Sequence, residues 1–251
     1  MLTNNDIKYI RSLNKKKYRQ KYNNFIIEGK KMLLEAIEFA NNKIEKIYCL
    51  QNFYQSHENT LKPYENIITL ISSNELKKIS NLSTPNSGIA IISQDKIVPD
   101  QFELGDFVVF LDDIQDPGNM GTIIRTCDWF GVNNLLVSEN CVDIYNPKVL
   151  QSSMGSIFRL PVFKSSFEEM LKITAGYKLI GAILDGDNLY ERKYSPPFVV
   201  IIGNESKGIS DHIINQLDYK ITIPRYGTDT ESLNASVATG IIIGELARNM
   251  S

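Results

Sequence analysis

Three loops carry the residues of this chain best suited to holding a ligand: Asp112–Gly121, Gly203–Gly208 and Pro224–Asn234. Ser232 and Asn234 stand at the mouth of an apolar helix, where first-turn N–H groups face whatever fills the adjoining crevice. Gly203-Asn204-Glu205-Ser206-Lys207-Gly208 spaces its glycines like a phosphate-binding loop. Ile209-Ser210 follows, rather than Lys and then Ser or Thr, so binding of a nucleoside triphosphate in that manner is excluded. Asp116–Gly121 supplies only one glycine pair, too few for a dinucleotide fingerprint. His57 and His212 are the only histidines, so neither a histidine-based triad nor a zinc site is expected. Cys49, Cys127 and Cys141 lack metal-site spacing and read as reduced thiols of a cytoplasmic protein. No metal is expected.

The elements around these loops follow from hydrophobic patterning. Phe107–Leu111 is an unbroken apolar run, as a strand covered on both faces should be. A turn and a helix over Thr122–Phe130 follow, closed by Gly131. Leu135–Val137, Leu160–Phe163, Lys178–Leu184, Phe198–Ile202 and Tyr219–Ile223 read as further strands. Helices are expected around 147–157, 166–174 and 209–217. This alternation predicts an α/β fold, a mostly parallel sheet with helices on both faces. Ligands in such sheets bind beyond the carboxyl ends of strands, where the three loops would converge. Pro224 stops the last strand, because it has no N–H for a sheet ladder. Thr230 or Ser232 is expected to cap the helix that follows. Ser236, Gly240 and Gly244, four apart, form a small-residue stripe on that helix, which suits close approach of another backbone.

The first section is a smaller α/β unit. Phe25–Ile27, Ile44–Leu50, Ile67–Ile71 and Gly88–Ile92 read as strands, with a helix from Gly29 or Lys30 to about Ala40. The polar stretch Ser93–Asp106, with Pro99 and Gly105, fits a linker. The resulting division is 1–94, a linker over 95–106, and 107–251. The formal charge of −2 conceals an asymmetry: residues 1–50 carry +6 and the remainder −8. Lys15, Lys16, Lys17, Arg19 and Lys21 alternate with Tyr18 and Tyr22, a pattern suited to RNA phosphates and unpaired bases, or to a solvated helix end. No run of 18 apolar residues exists, so no membrane span is expected.

Taken together, LDDIQDPGNMGTIIRTCDWFG (Leu111–Gly131), VVIIGNESKGIS (Val199–Ser210) and ITIPRYGTDTESLNASVA (Ile221–Ala238) resemble the three motifs of the SpoU/TrmH family of RNA ribose methyltransferases, in the SPOUT superfamily. Cys127 and Arg225 stand where alanine and methionine are frequent. Lys17–Glu38 is similar to that family's accessory domain, itself L30e-like. The resemblance implies methyl transfer from S-adenosylmethionine to a ribose 2′-hydroxyl, a deep C-terminal trefoil knot, and a homodimer formed through the C-terminal domain. It places Asn119, Arg125, Glu205, Ser232 and Asn234 in the active site, with Arg125 also contacting RNA. Leu184, Gly186, Gly203, Ile223, Leu233 and Asn234 would hold the cofactor. Ribosomal RNA is favoured over transfer RNA by the accessory domain. The rival readings are a tRNA 2′-O-methyltransferase, a base methyltransferase, and a noncatalytic RNA-binding protein that keeps the fold.

Overall fold

The computed structural model describes residues 2–94, 104–229 and 231–250. The chain forms two compact units, one of residues 1–96 with 145–158, the other of 97–144 with 159–251. Most of the expected linker, and Thr230, lie outside the described residues.

The first unit runs α1 (Asn4–Ser12), α2 (Lys16–Tyr22), β1 (Asn24–Glu28), α3 (Lys30–Phe39), β2 (Ile44–Cys49), α4 (Gln51–Ser56), α5 (Glu58–Leu61), β3 (Ile68–Leu70), α6 (Ser73–Ile79) and β4 (Gly88–Ser93). Its sheet has the order β1-β4-β2-β3, with β4 antiparallel to both neighbours and β2 parallel to β3. Thr3 and Ser72 open α1 and α6 with capping boxes, each hydroxyl taking an N3 amide while the N3 carboxylate takes the cap N–H.

One finding departs from the simple division at residues 94 and 107. The segment 145–158, which follows β6 (Asn134–Val137) and contains α8 (Pro147–Ser153), belongs to the first unit. Tyr145 stacks on Phe25 with ring centroids 4.5 Å apart, and Leu150 is 2% exposed within the first unit's core. The expected long helix over 147–157 stops at Ser153, where Met154 and Gly155 both take positive φ. A first unit cut at residue 94 would therefore lack part of its core.

The second unit runs β5 (Phe107–Leu111), α7 (Pro117–Trp129), β6, β7 (Val162–Lys164), α9 (Phe167–Ile173), β8 (Lys178–Asn188), β9 (Phe198–Ile202), α10 (Asp211–Ile214), β10 (Tyr219–Thr222) and α11 (Ala235–Arg248). Its sheet has the order β10-β8-β9-β5-β6-β7, and every pairing is parallel. All residues of β5 and β9 are buried, which is why both read as unbroken apolar runs. From β5 the chain moves outward through β6 and β7, then crosses to the other side of β9. The loops after β5 and β9 are therefore neighbours at the point where the order reverses, as ligand sites of open α/β sheets require.

Three boundaries moved for physical reasons. Helix α7 starts at Pro117, not Thr122, because Asp116 caps it and proline suits a first turn whose N–H has no helical partner. Asn234, rather than Thr230 or Ser232, caps α11. Strand β8 continues past Leu184 to Asn188: Gly181 pairs with Lys220 and Asp187 with Ile221, so Ala182–Gly186 bow out against a single step in β10. The small-residue stripe on α11 meets α7 of the same chain. A Cβ on Gly240 would lie 3.9 Å from Thr126, and one on Gly244 would lie 3.2 Å from Phe130. Within the chain, the close neighbour of this stripe is α7.

The placement of α8 predicts that Leu150→Ala destabilises the first unit by about 2–5 kcal/mol, as emptied core sites do. Native-state hydrogen exchange should show faster opening of the β1 and β4 amides. Unchanged exchange there would mean that α8 contributes nothing to that core.

Candidate active site

Three short loops meet at the carboxyl ends of β5, β9 and β10. Asn119, in the first turn of α7, donates its side-chain amide to the Glu205 carboxylate. Its carbonyl oxygen accepts from Asn234 Nδ2 at 3.0 Å. One residue from each of the three motifs thus enters one bonded chain, Glu205–Asn119–Asn234. The ends are fixed as well. Asn119 N–H donates to Asp116 at 2.8 Å, and Asn234 Oδ1 accepts from Ser236 N at 3.0 Å, Ser236 Oγ at 2.7 Å and Val237 N at 3.4 Å. The helix cap and the bonded chain share one side chain.

Residues that sequence reasoning did not single out hold these loops in register. Asp112 is buried, and its Oδ2 accepts from Ser210 N at 2.8 Å while its own N–H donates to Ile202 O at 2.8 Å. Asn204 Nδ2 donates to Asp113 O at 2.8 Å, and its Oδ1 accepts from the N–H groups of Ser206 and Lys207. Asp113 sits at φ 59 and pairs with Lys207 Nζ at 3.2 Å. Asn204 and Gly208 exchange backbone bonds of 3.0 and 2.9 Å, closing the loop below Glu205. Polar residues immediately after an apolar strand were the available signal for Asp112 and Asp113. Nothing in the one-dimensional pattern joined Asn204 to Asp113, ninety-one residues earlier.

The remaining expected site residues divide into two groups. Arg125 and Ser232 are exposed, and among the described residues neither makes a hydrogen bond or ion pair within the chain. Arg125 lies on α7, six residues beyond Asn119. The proposed cofactor residues line the strand ends and loops. Leu184 is 73% exposed on the outward bow of β8, and Leu233 is 44% exposed just ahead of α11. Ile223 and Gly203 are partly buried. Gly186 ends the bow, where a Cβ would meet the Ile221 backbone at 2.6–2.8 Å, so glycine is required for that return. A Cβ on Gly203 would lie 2.2–2.3 Å from the backbone of Gly208 and Ile209.

The thiols contribute no nucleophile. Cys49, Cys127 and Cys141 are free and buried, and burial pushes each thiol up, Cys49 to about 11. A thiol held protonated is a poor nucleophile. Cys141 instead accepts from Ile114 N at 3.3 Å and donates to Leu111 O at 3.4 Å, bracing the loop after β5. Among the described residues, no three His, Cys, Asp or Glu side chains cluster to hold a metal ion, and no helix is long and apolar enough to cross a membrane.

Comparison with known proteins agrees with this geometry. The profile of the SpoU rRNA methylase family matches residues 106–244. The chain belongs to that family. An MRM3-like substrate binding domain matches residues 4–90, so this SpoU family member carries its N-terminal unit as a substrate-binding domain. It is 30% identical over 248 residues to the 23S rRNA (guanosine(2553)-2′-O)-methyltransferase RlmP of Bacillus subtilis, covering 97% of this chain and 96% of that protein. The AdoMet-bound rRNA methyltransferase of Sinorhizobium meliloti superposes with a TM-score of 0.88 at 26% identity, over 100% of this chain and 97% of that one. The SpoU methyltransferase AviRb of Streptomyces viridochromogenes shares the fold, with a TM-score of 0.83 at 24% identity over 98% of both chains. This is the α/β SPOUT architecture, and the likeness is consistent with its knot.

Asn119→Asp tests the bonded chain. The change removes the donor that faces Glu205 and brings two carboxylates together, a loss of about 1–3 kcal/mol at neutral pH. The like charge raises the folded-state carboxyl pKa above its unfolded value. The penalty is therefore full above the folded pKa and fades as pH falls through it. Thermal melts should show the variant furthest below the parent near pH 8 and closest near pH 5. A constant gap across that range would mean that the two carboxylates do not meet.

Proposed function

We propose that this chain transfers a methyl group from S-adenosylmethionine to a ribose 2′-hydroxyl of ribosomal RNA. The observation that carries this reading is the Glu205–Asn119–Asn234 chain, which binds the three family motifs into one constellation. The names of the relatives support ribosomal RNA: the Bacillus subtilis relative acts on 23S rRNA, as does a Streptomyces viridochromogenes relative that is 36% identical over 149 residues.

The residues present fit the cofactor. Leu184 and Leu233 are the exposed leucines of the second unit among the described residues, and a bound adenosine would cover such apolar side chains. Gly203, Ile223 and Gly186 would add backbone surface beside them. When bound, the cofactor supplies a methyl group already activated by a sulfonium charge. What remains for the protein is to align the 2′-oxygen and assist loss of its proton, and alignment alone is worth about 7–11 kcal/mol. A guanidinium presents five N–H donors and no acceptor, so Arg125 acts as a donor and not as the proton acceptor. Its role is to hold the adjacent phosphate and stabilise the developing alkoxide. Within the bonded chain Asn119 and Asn234 are amides, so Glu205 is the member able to accept a proton. Ser232, exposed beside Asn234, is a further polar contact for the ribose. Lys15, Lys16, Lys17 and Lys21 are exposed and fit RNA phosphates. Arg19 does not: it is 3% exposed and donates to Leu13 O at 2.9 Å, so it holds α2 in place.

Arg125→Ala should abolish methyl transfer in single-turnover assays while calorimetry gives an S-adenosylmethionine affinity within severalfold of the parent. Arg125→Lys should restore little, since a point charge does not reproduce the guanidinium fork. Near-normal transfer by the alanine variant would remove Arg125 from the mechanism. Mapping 2′-O-methyl groups in total RNA from a deletion strain tests the substrate, and a lost mark in transfer RNA alone would overturn the ribosomal assignment.

The chain is further proposed to act as a homodimer through its second unit. The support is exposed apolar side chains at the two ends of the α7–α11 pair: Trp129, at the end of α7, is 83% exposed, and Val237, in the first turn of α11, 50%. Light scattering at micromolar concentration should give twice the chain mass for the parent. Trp129→Glu should give a folded monomer, and a monomeric parent would refute the assembly.

A further inference from the structure

Helix α2 carries two parallel stripes that the cofactor site does not use. Tyr18 and Tyr22, four residues apart, hold their rings within 13° of parallel with centroids 6.3 Å apart. Lys17 and Lys21 repeat at the same spacing on the adjoining face, and Lys21 Nζ lies 5.3 Å from the Tyr22 ring centroid. Between Ile7 and Ile27 there are seven cations and no acidic residue. Tyr22 is 41% exposed, and Lys15, Lys16, Lys17 and Lys21 are all exposed.

The platform is anchored. Arg19 turns inward to Leu13 O, and Gln94 Nε2 donates to Arg19 O at 3.2 Å. Asn23, at φ 56, ends the helix with its N–H on the same Arg19 carbonyl. Tyr9 packs edge-on to Tyr22 at 5.1 Å, and Asn24 Nδ2 in turn bonds Tyr9 Oη at 2.9 Å. The rings are thus held at little further entropic loss on binding.

Two near-parallel tyrosine rings flanked by cations recognise one class of partner. The phosphates of any nucleic acid would suit the lysines, but the rings need a base whose face is free. Duplex RNA keeps its base faces stacked and offers only backbone. We propose that α2 seats an unpaired segment of the substrate RNA, with a base on the Tyr18–Tyr22 surface and its flanking phosphates on Lys17 and Lys21. This rests on the RNA methyltransferase reading and deepens it: the first unit selects a loop, bulge or end rather than a helix.

The test uses the full-length protein and fluorescence anisotropy with a 12-nucleotide single-stranded RNA and a 12-base-pair RNA duplex across a salt series. The parent should prefer the single strand. Tyr22→Ala should weaken the single strand about tenfold, the loss typical of one aromatic stacking contact, while duplex binding changes less than twofold. Tyr22→Phe should keep the parent affinity. Lys17→Ala and Lys21→Ala should each lower the salt slope by about 0.7, the single-strand value per phosphate. Circular dichroism establishes that each variant is folded. Equal losses on both RNAs, unchanged single-strand affinity in Tyr22→Ala, or a parent that prefers duplex would each overturn the proposal. Calorimetry of the parent with S-adenosylmethionine separates the two failures: cofactor binding without single-strand preference defeats the α2 proposal alone, and absent cofactor binding defeats the enzyme reading.

Discussion

A primary amide donates and accepts at once, and Asn119 uses both capacities to join side chains separated by more than eighty residues on one side and more than a hundred on the other. Neither a carboxylate nor an ammonium could do this, since the first only accepts and the second only donates. Because Asn234 also caps α11, the bond that organises the constellation is tied to the start of the last helix. Movement of α11 would therefore be felt at Glu205. Supporting bonds from Asp112 and Asn204 hold the backbone beneath, so Glu205 is carried by a loop closed on itself and pinned to its neighbour. Bonded support of this kind keeps such a constellation in one geometry, which matters wherever small displacements are costly to a reaction.

The sheet order makes that meeting possible. β5 and β9 lie side by side though nearly ninety residues separate them, and their registers run in step from Phe107 with Phe198 to Leu111 with Ile202. With both strands buried on both faces, their only exposed backbone lies at the ends. Charged and polar residues collect there because nowhere else along these strands can water or ligand reach them. The outward bow of β8 extends the same edge and leaves Leu184 in solvent, an expensive placement for a leucine unless something apolar covers it.

The first unit shows a different economy of structure. Its core is completed by residues that come after β6, with Leu150 buried and Tyr145 stacked on Phe25. Two units that exchange part of the chain are linked by more than one covalent pass. The lysines and tyrosines of α2 occupy the outer surface of this unit, held from beneath by Arg19, whose charge serves packing and hydrogen bonding rather than binding.

The sequence by itself determined the fold class, most strand positions and the three loops, because buried parallel strands must be continuous apolar runs and their ends must be polar. The family resemblance likewise named Asn119, Glu205 and Asn234, but it could not show that one amide links all three. Capping was ambiguous in one dimension: Thr230, Ser232 and Asn234 are all good caps, and only the geometry selected Asn234, whose carbonyl reaches two first-turn amides. The glycine stripe of α11 signalled a close neighbour without saying whose, and the tertiary structure answered with Thr126 and Phe130 of α7. Arg19 looked like its lysine neighbours until the fold turned it inward. Membership of 145–158 in the first unit was also out of reach, since local patterning reports that a face is apolar and not which core it joins. Those decisions belong to contacts between residues far apart in the chain, where packing and hydrogen-bond geometry choose among partners that composition leaves equivalent.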